Sequence, residues 1–123
     1  MPETDLALLI EGARQSGDIA KRYFQQNPDV TDKPDGAGPV TVADLAVNEM
    51  LAGFLQSARP DYGWLSEETE DNRARLGTKR QFIIDPIDGT RAFIDGSKDW
   101  AHSLAITEDG VPVAAAGYLP MRD

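Results

Sequence analysis

From the amino terminus, apolar residues recur at Leu6, Leu9, Ile10, Ala13, Ala20 and Phe24. This is close to the three-and-four spacing of one helical face, and it predicts an amphipathic helix packed on a core. From Asn27 to Pro39 the pattern breaks: Pro28, Pro34, Gly36, Gly38 and Pro39 stand among polar residues, the composition of a mobile loop, and Lys33 lies within it. A second helix is expected to start near Thr41. Thr41 and Asp44 have capping-box spacing, and Val47, Leu51, Phe54 and Leu55 supply an apolar face before Pro60 stops the helix.

Beyond Pro60 the period changes. Tyr62 to Leu65 and Gln81 to Ile84 are short aromatic or β-branched runs that predict buried strands, and each runs directly into acidic residues. Ala101 to Thr107 and Val111 to Leu119 predict two more strands, joined through Glu108, Asp109 and Gly110 as a hairpin. Two helices followed by strands indicate an α+β chain, with the helices on a largely antiparallel sheet. There is no internal repeat, low-complexity tract or second domain boundary.

Composition removes several function classes. The chain has 123 residues, 41% of them hydrophobic and none of them cysteine. One core is affordable at that size, whereas a disulfide framework, a zinc-thiolate site and a catalytic thiol are excluded. Neither a basic-then-apolar leader nor a bilayer-length apolar run is present, which leads us to expect a soluble cytoplasmic protein without a transmembrane segment. Twenty-one acidic against twelve basic residues give a net charge of −9, which disfavours polymeric nucleic acid as a partner. Such charge is ordinarily a solubilising surface, and only its position within motifs can give it a sharper meaning.

That position is most telling at Asp85-Pro86-Ile87-Asp88-Gly89-Thr90, where an apolar strand delivers two acids, a proline bend, a glycine and a hydroxyl. Carboxylates at the end of a buried strand would be desolvated and would repel each other, so they need a cation or specific donors. Oxygen ligands without His or Cys suit Mg²⁺, with Mn²⁺ as a substitute. Gly89 would let a ligand approach the backbone, and the amides after it, if they open a helix, would receive a phosphate. Ser66-Glu67-Glu68-Thr69 again places acids where a strand ends, although two adjacent glutamates alone are more often solvated. Asp44, taken alone, is explained by capping. His102, on an expected strand, is read as a sheet residue rather than a general base.

Taken together, Thr41-Val42-Ala43-Asp44, Trp64-Leu65-Ser66-Glu67-Glu68-Thr69 and Asp85-Pro86-Ile87-Asp88-Gly89-Thr90-Arg91-Ala92-Phe93-Ile94 resemble, in order and spacing, the successive motifs of the inositol monophosphatase family. The resemblance implies a lithium-sensitive, Mg²⁺-dependent hydrolase of small phosphorylated metabolites, folded as a layered α/β sandwich of the sugar-phosphatase type. It makes Glu67, Asp85, Asp88 and the carbonyl of Ile87 metal ligands, and Asp44 and Thr90 the pair that activates the attacking water. Asp88, Gly89 and Thr90 would bind the substrate phosphate. Glu68 resembles an acid that assists the metal site, and Lys33 a loop residue that approaches it. The implied chemistry is in-line attack of water on phosphorus without a covalent phosphoenzyme.

Against that family the sequence reads as an amino-terminal half, residues 1–123, with the carboxy-terminal half and its further ligating aspartate absent. An open sheet edge and an uncovered apolar face are then expected to favour self-association, and the isolated chain is expected to have little phosphatase activity. Within the family, Asp99-Trp100-Ala101-His102-Ser103 and Ser66-Glu67-Glu68 look most like the bacterial 3'(2'),5'-bisphosphate nucleotidases, which act on the 3'-phosphate of adenosine 3',5'-bisphosphate. Inositol monophosphatase and histidinol-phosphatase are the competing readings. A non-catalytic metal-binding fragment is the alternative of another class.

Overall fold

Thr4 opens the first helix by accepting a hydrogen bond from the Ala7 amide at 3.1 Å, and α1 then runs over Asp5–Tyr23. The computed structural model describes residues 4–24, 30–32, 39–69 and 74–122. The buried face of α1 is Leu8, Leu9, Gly12, Ala13, Ser16, Gly17 and Ala20. Leu6 and Ile10, expected on that face, are 48% and 54% exposed. The face is rotated because it is built partly of small residues that an apolar pattern does not count. Close approach of the helix is the reason: a Cβ on Gly17 would lie 2.8 Å from Tyr118 Cε2, and one on Gly12 would lie 3.2 Å from Leu51 Cδ2.

The segment expected to be a loop contains a short strand, β1 (Val30–Asp32), which pairs antiparallel with β2 (Pro39–Thr41) beginning at the segment's last residue. Proline and glycine counts suggested a loop there, but Val30, Thr31, Val40 and Thr41 are β-branched, and Pro39 takes the first strand position, where its missing N–H does least harm. Lys33 lies outside the described residues. Thr41 ends β2 and caps α2 (Val42–Ala58) with a complete capping box to Asp44, as the sequence predicts. Val47, Leu51 and Leu55 carry the apolar face of α2 inward, and the helix closes at Arg59, just before Pro60.

Four strands form the main sheet in the order β3 (Gly63–Ser66), β4 (Arg80–Asp88), β5 (Ala101–Glu108) and β6 (Val111–Tyr118). The last two pairings are antiparallel, but β3 runs parallel to β4, with Ser66 opposite Ile84. Asp109 and Gly110 both take positive φ in the two-residue turn joining β5 to β6, a backbone twist that suits tight hairpins. Between β4 and β5, Gly89 caps a five-residue helix, α3 (Thr90–Ile94).

Helices α1 and α2 pack on one face of this sheet, α1 over β5 and β6 and α2 over β4. Phe82 and Ile84 on β4 and Leu104 and Ile106 on β5 meet Leu8, Leu9, Val47, Leu51 and Leu55 there. Each such side chain withdrawn from water contributes about 1.5–3 kcal/mol before entropy is charged against it. On the opposite face the register aligns Leu65, Ile83, Ala105 and Ala115, and this row is only partly covered by the described residues. The architecture is a layered α/β arrangement with a mixed sheet. Among the described residues, no helix is long and apolar enough to cross a membrane.

Candidate active site

Parallel pairing decides where the acids fall. Since β3 and β4 run side by side in the same direction, both end at one edge of the sheet, and each is followed by a carboxylate-rich segment. The Glu67 amide donates to the Ile84 carbonyl at 3.1 Å, which continues the register and sets Glu67 beside Asp85. Along β4, Phe82 and Ile84 are buried while Ile83 and Asp85 are half-buried, so Asp85 faces away from the helices. A cleft of about 270 Å³ on this side is lined by Leu65, Ser66, Glu67, Thr69, Ile83 and Ile84.

The pairing of β4 with β5 then slips. Asp85 lies opposite Ser103 and Asp88 opposite Ala101, so three steps on β4 match two on β5, which is a β-bulge. Pro86 and Ile87 occupy the bulge, both buried, and Asp88 emerges exposed. Gly89 follows with φ 90°, and a Cβ there would approach the Asp99 carbonyl to 3.0 Å. Glycine is required on both counts. The chain thereby turns sharply enough to bring Thr90 back toward α2.

There Thr90 meets Asp44. The Thr90 hydroxyl donates to Asp44 Oδ1 at 2.8 Å, with the Ile87 carbonyl 3.2 Å away. Asp44 Oδ2 accepts from the Thr41 amide at 2.9 Å and from the Thr41 hydroxyl at 2.6 Å. Asp44 therefore caps its helix with one oxygen and holds Thr90 with the other. It is 1% exposed, a depth at which a carboxylate needs such donors. Because its hydrogen is committed to Asp44, the Thr90 oxygen has its lone pairs available to a further donor.

One turn farther along α2, Asn48 does for the second cluster what Asp44 does for the first. Ser66 Oγ donates to Asn48 Oδ1 at 2.6 Å, and Asn48 Nδ2 donates to Thr69 Oγ1 at 2.9 Å. The Glu68 amide donates to Ser66 Oγ at 3.2 Å and the Trp64 indole to Thr69 Oγ1 at 3.2 Å, so the turn bearing Glu67 is tied at both ends. Asn48 escaped sequence reading. Its spacing of four from Asp44, which puts the two on one helical surface, is the signal that could have found it.

His102 is the other residue whose part was missed. It lies on β5, as expected of a sheet residue, is wholly buried, and its Nδ1 lies 2.5 Å from the Pro86 carbonyl. Burial pushes the imidazole below its ordinary range, against the opposing pulls of the Pro86 carbonyl and the Asp44 charge. Trp100 is also wholly buried, so two of the five residues in the Asp99 to Ser103 segment are closed to any ligand.

The donor set at this edge, Glu67, Asp85, Asp88 and the Ile87 carbonyl, is all oxygen and fits a hard divalent cation in chemistry. In geometry the fit is incomplete: among the described residues, no three His, Cys, Asp or Glu side chains converge closely enough to hold a metal ion. Backbone register brings Glu67 and Asp85 together, hydrogen bonding brings Thr90 to Asp44, and Asp88 sits between these two groups in sequence.

The chain is 38% identical over 113 residues to the histidinol-phosphatase of Mycobacterium tuberculosis, a match covering 91% of this chain and 42% of that protein. It is 34% identical over 114 residues to the 3'(2'),5'-bisphosphate nucleotidase CysQ of Escherichia coli, covering 90% of this chain and 46% of the relative. It thus spans less than half the length of these curated relatives. Among solved structures, the extragenic suppressor protein suhB of Bartonella henselae superposes with a TM-score of 0.84 at 31% identity, covering 95% of this chain and 45% of that one. The Thermotoga maritima IMPase TM1415 gives a TM-score of 0.85 at 26% identity, covering 95% and 44%. The profile of the inositol monophosphatase family matches residues 1–123 throughout, and the chain belongs to that family.

Proposed function

We propose that these residues supply the cation-binding and water-activating part of an enzyme that hydrolyses a small phosphate monoester. The observation that carries this reading is the Thr90–Asp44 hydrogen bond, which goes beyond what capping of α2 requires. Glu67, Asp85, Asp88 and the Ile87 carbonyl would hold Mg²⁺, with Glu68 assisting, and Lys33 would approach the site. When bound, the cation supplies Lewis acidity that polarises the phosphoryl group and offsets charge on the departing oxygen. Asp44 fixes the Thr90 hydroxyl so that its oxygen accepts a hydrogen from the attacking water and orients it in line with phosphorus. Asp88, Gly89 and Thr90 border the position of the phosphate.

The substrate proposed first is the 3'-phosphate of adenosine 3',5'-bisphosphate, on the Asp99 to Ser103 segment and the CysQ relative. The histidinol-phosphatase relative supports histidinol phosphate equally, and inositol 1-phosphate is the third candidate. Burial of Trp100 and His102 means that this segment would act on the substrate only through Asp99, Ala101 or Ser103. The test is phosphate release from each of the three compounds, with Mg²⁺ titrated, by a protein of the relatives' length that carries this sequence. Mg²⁺-dependent release from one of them supports the reading. Saturable Mg²⁺ binding without release from any would favour the non-catalytic alternative.

A further inference from the structure

We propose that His102 is a positioning residue for the Asp85–Thr90 segment: its Nδ1–H donates to the Pro86 carbonyl and holds the β-bulge that delivers Asp88 and Thr90 to the site. A carbonyl oxygen only accepts, so the contact at 2.5 Å fixes the hydrogen on Nδ1. The placement explains why a side chain is needed. His102 lies on β5 between Ser103 and Ala101, the partners of Asp85 and Asp88, and therefore directly across from the extra residue of the bulge. Pro86 has no N–H of its own to give the ladder, and its carbonyl is buried where a missing partner would be costly.

The ring is held in place by its surroundings. Trp100 stacks edge-on against it with centroids 5.6 Å apart, Tyr118 lies across it at 6.4 Å, and Trp100 in turn packs on Phe93 of α3 at 5.0 Å. The aromatic cluster thus joins β5 and β6 to the helix that follows the bulge. His102 Nε2 has no protein partner among the described residues, so the Pro86 contact is the ring's one polar tie. An apolar side chain would fill the same space more favourably, which makes a specific need for the Nδ1 donor the better account of a histidine here.

The inference rests on the proposed function for the importance of Asp88 and Thr90, but not for the hydrogen bond itself, and the test separates the two. Nitrogen NMR of the imidazole in the 123-residue chain should show a neutral ring protonated on Nδ1. A ring protonated on Nε2 alone would overturn the proposal. His102→Asn keeps an amide N–H near the position of Nδ1, and His102→Leu removes the donor. Amide resonances from Ile87 to Thr90 should move in the leucine variant and return toward wild type in the asparagine variant, and Mg²⁺ affinity should drop by about tenfold only in the former. Unchanged amides in His102→Leu, or equal disturbance in both variants, would overturn it. Should His102→Leu fail to fold, His102→Gln, whose amide reaches the place of Nε2, takes its part. A wild-type chain that binds no Mg²⁺ would refute the metal reading alone, since the tautomer and the amide resonances still decide the role of His102.

Discussion

Thr90 on α3 donates its hydroxyl hydrogen to Asp44 on α2 at 2.8 Å, joining residues 46 apart in sequence. If that hydroxyl orients water, Thr90→Val in a protein of the relatives' length should lower kcat by about a hundredfold or more, while Thr90→Ser retains most of it. Calorimetric Mg²⁺ affinity should be unchanged in both. Equal activity of Thr90→Val and wild type would remove Thr90 from the chemistry.

Asp88 is exposed at the end of β4 and contributes little to the core, so its replacement separates function from folding. Asp88→Asn should lower turnover by about 10²–10³-fold, because it removes ligand charge where the reaction needs the cation, while the melting temperature measured without metal stays near wild type. A folded Asp88→Asn protein turning over at the wild-type rate would contradict the assignment.

His102 is the only histidine in the chain, and its charged form is disfavoured in the fold by burial. The unfolded chain takes up a proton near the ordinary value of 6.5 and the folded chain only at lower pH, so the stability from this group is complete above the ordinary value. It is lost progressively as the pH falls below it. Denaturant unfolding between about pH 7.5 and 5.5 should show stability declining on the acid side, with a smaller decline in His102→Asn. The Pro86 carbonyl and the charge of Asp44 both oppose the effect. Stability rising as the pH falls through this window would refute the assignment.

Two helix glycines should respond in opposite directions. Gly17→Ala would press a methyl group onto Tyr118 at 2.8 Å and should cost about 1–3 kcal/mol in chemical denaturation. Gly53→Ala, on an exposed turn of α2 with nothing within 4 Å, should stabilise by about 0.5–1 kcal/mol. Stabilisation by Gly17→Ala would mean that α1 does not sit as closely on β6 as described.

Much of this was legible in the sequence because it rests on local rules. The Thr41 to Asp44 capping box, the strand at Gln81 to Ile84 and the turn at Asp109 and Gly110 are each set by residues within a few positions of one another. What was not legible depends on the partner surface. The inward face of α1 is chosen by which small residues allow contact with Tyr118 and Leu51, so Leu6 and Ile10 were wrongly expected inside. The parallel pairing of β3 and β4 follows from the chain's path between them, which no alternation of residues reports. At the site, the acids at the strand ends were visible as types in a pattern. Asn48 and His102 were not, because their roles come from a carbonyl and a hydroxyl that reach them only once the sheet has formed.

If the carboxylates at the ends of β3 and β4 form the proposed divalent-cation site, calorimetric titration of Mg²⁺ into the 123-residue chain should reveal it. Glu67 and Asp85 are brought together by backbone register, with Asp88 three residues on across the bulge, and these oxygen-bearing side chains would hold the cation. Saturable binding is expected, weakening by about tenfold or more in Asp85→Asn and in Asp88→Asn, with the fold retained in each. Binding absent from the wild type, or undiminished in both variants, would contradict it.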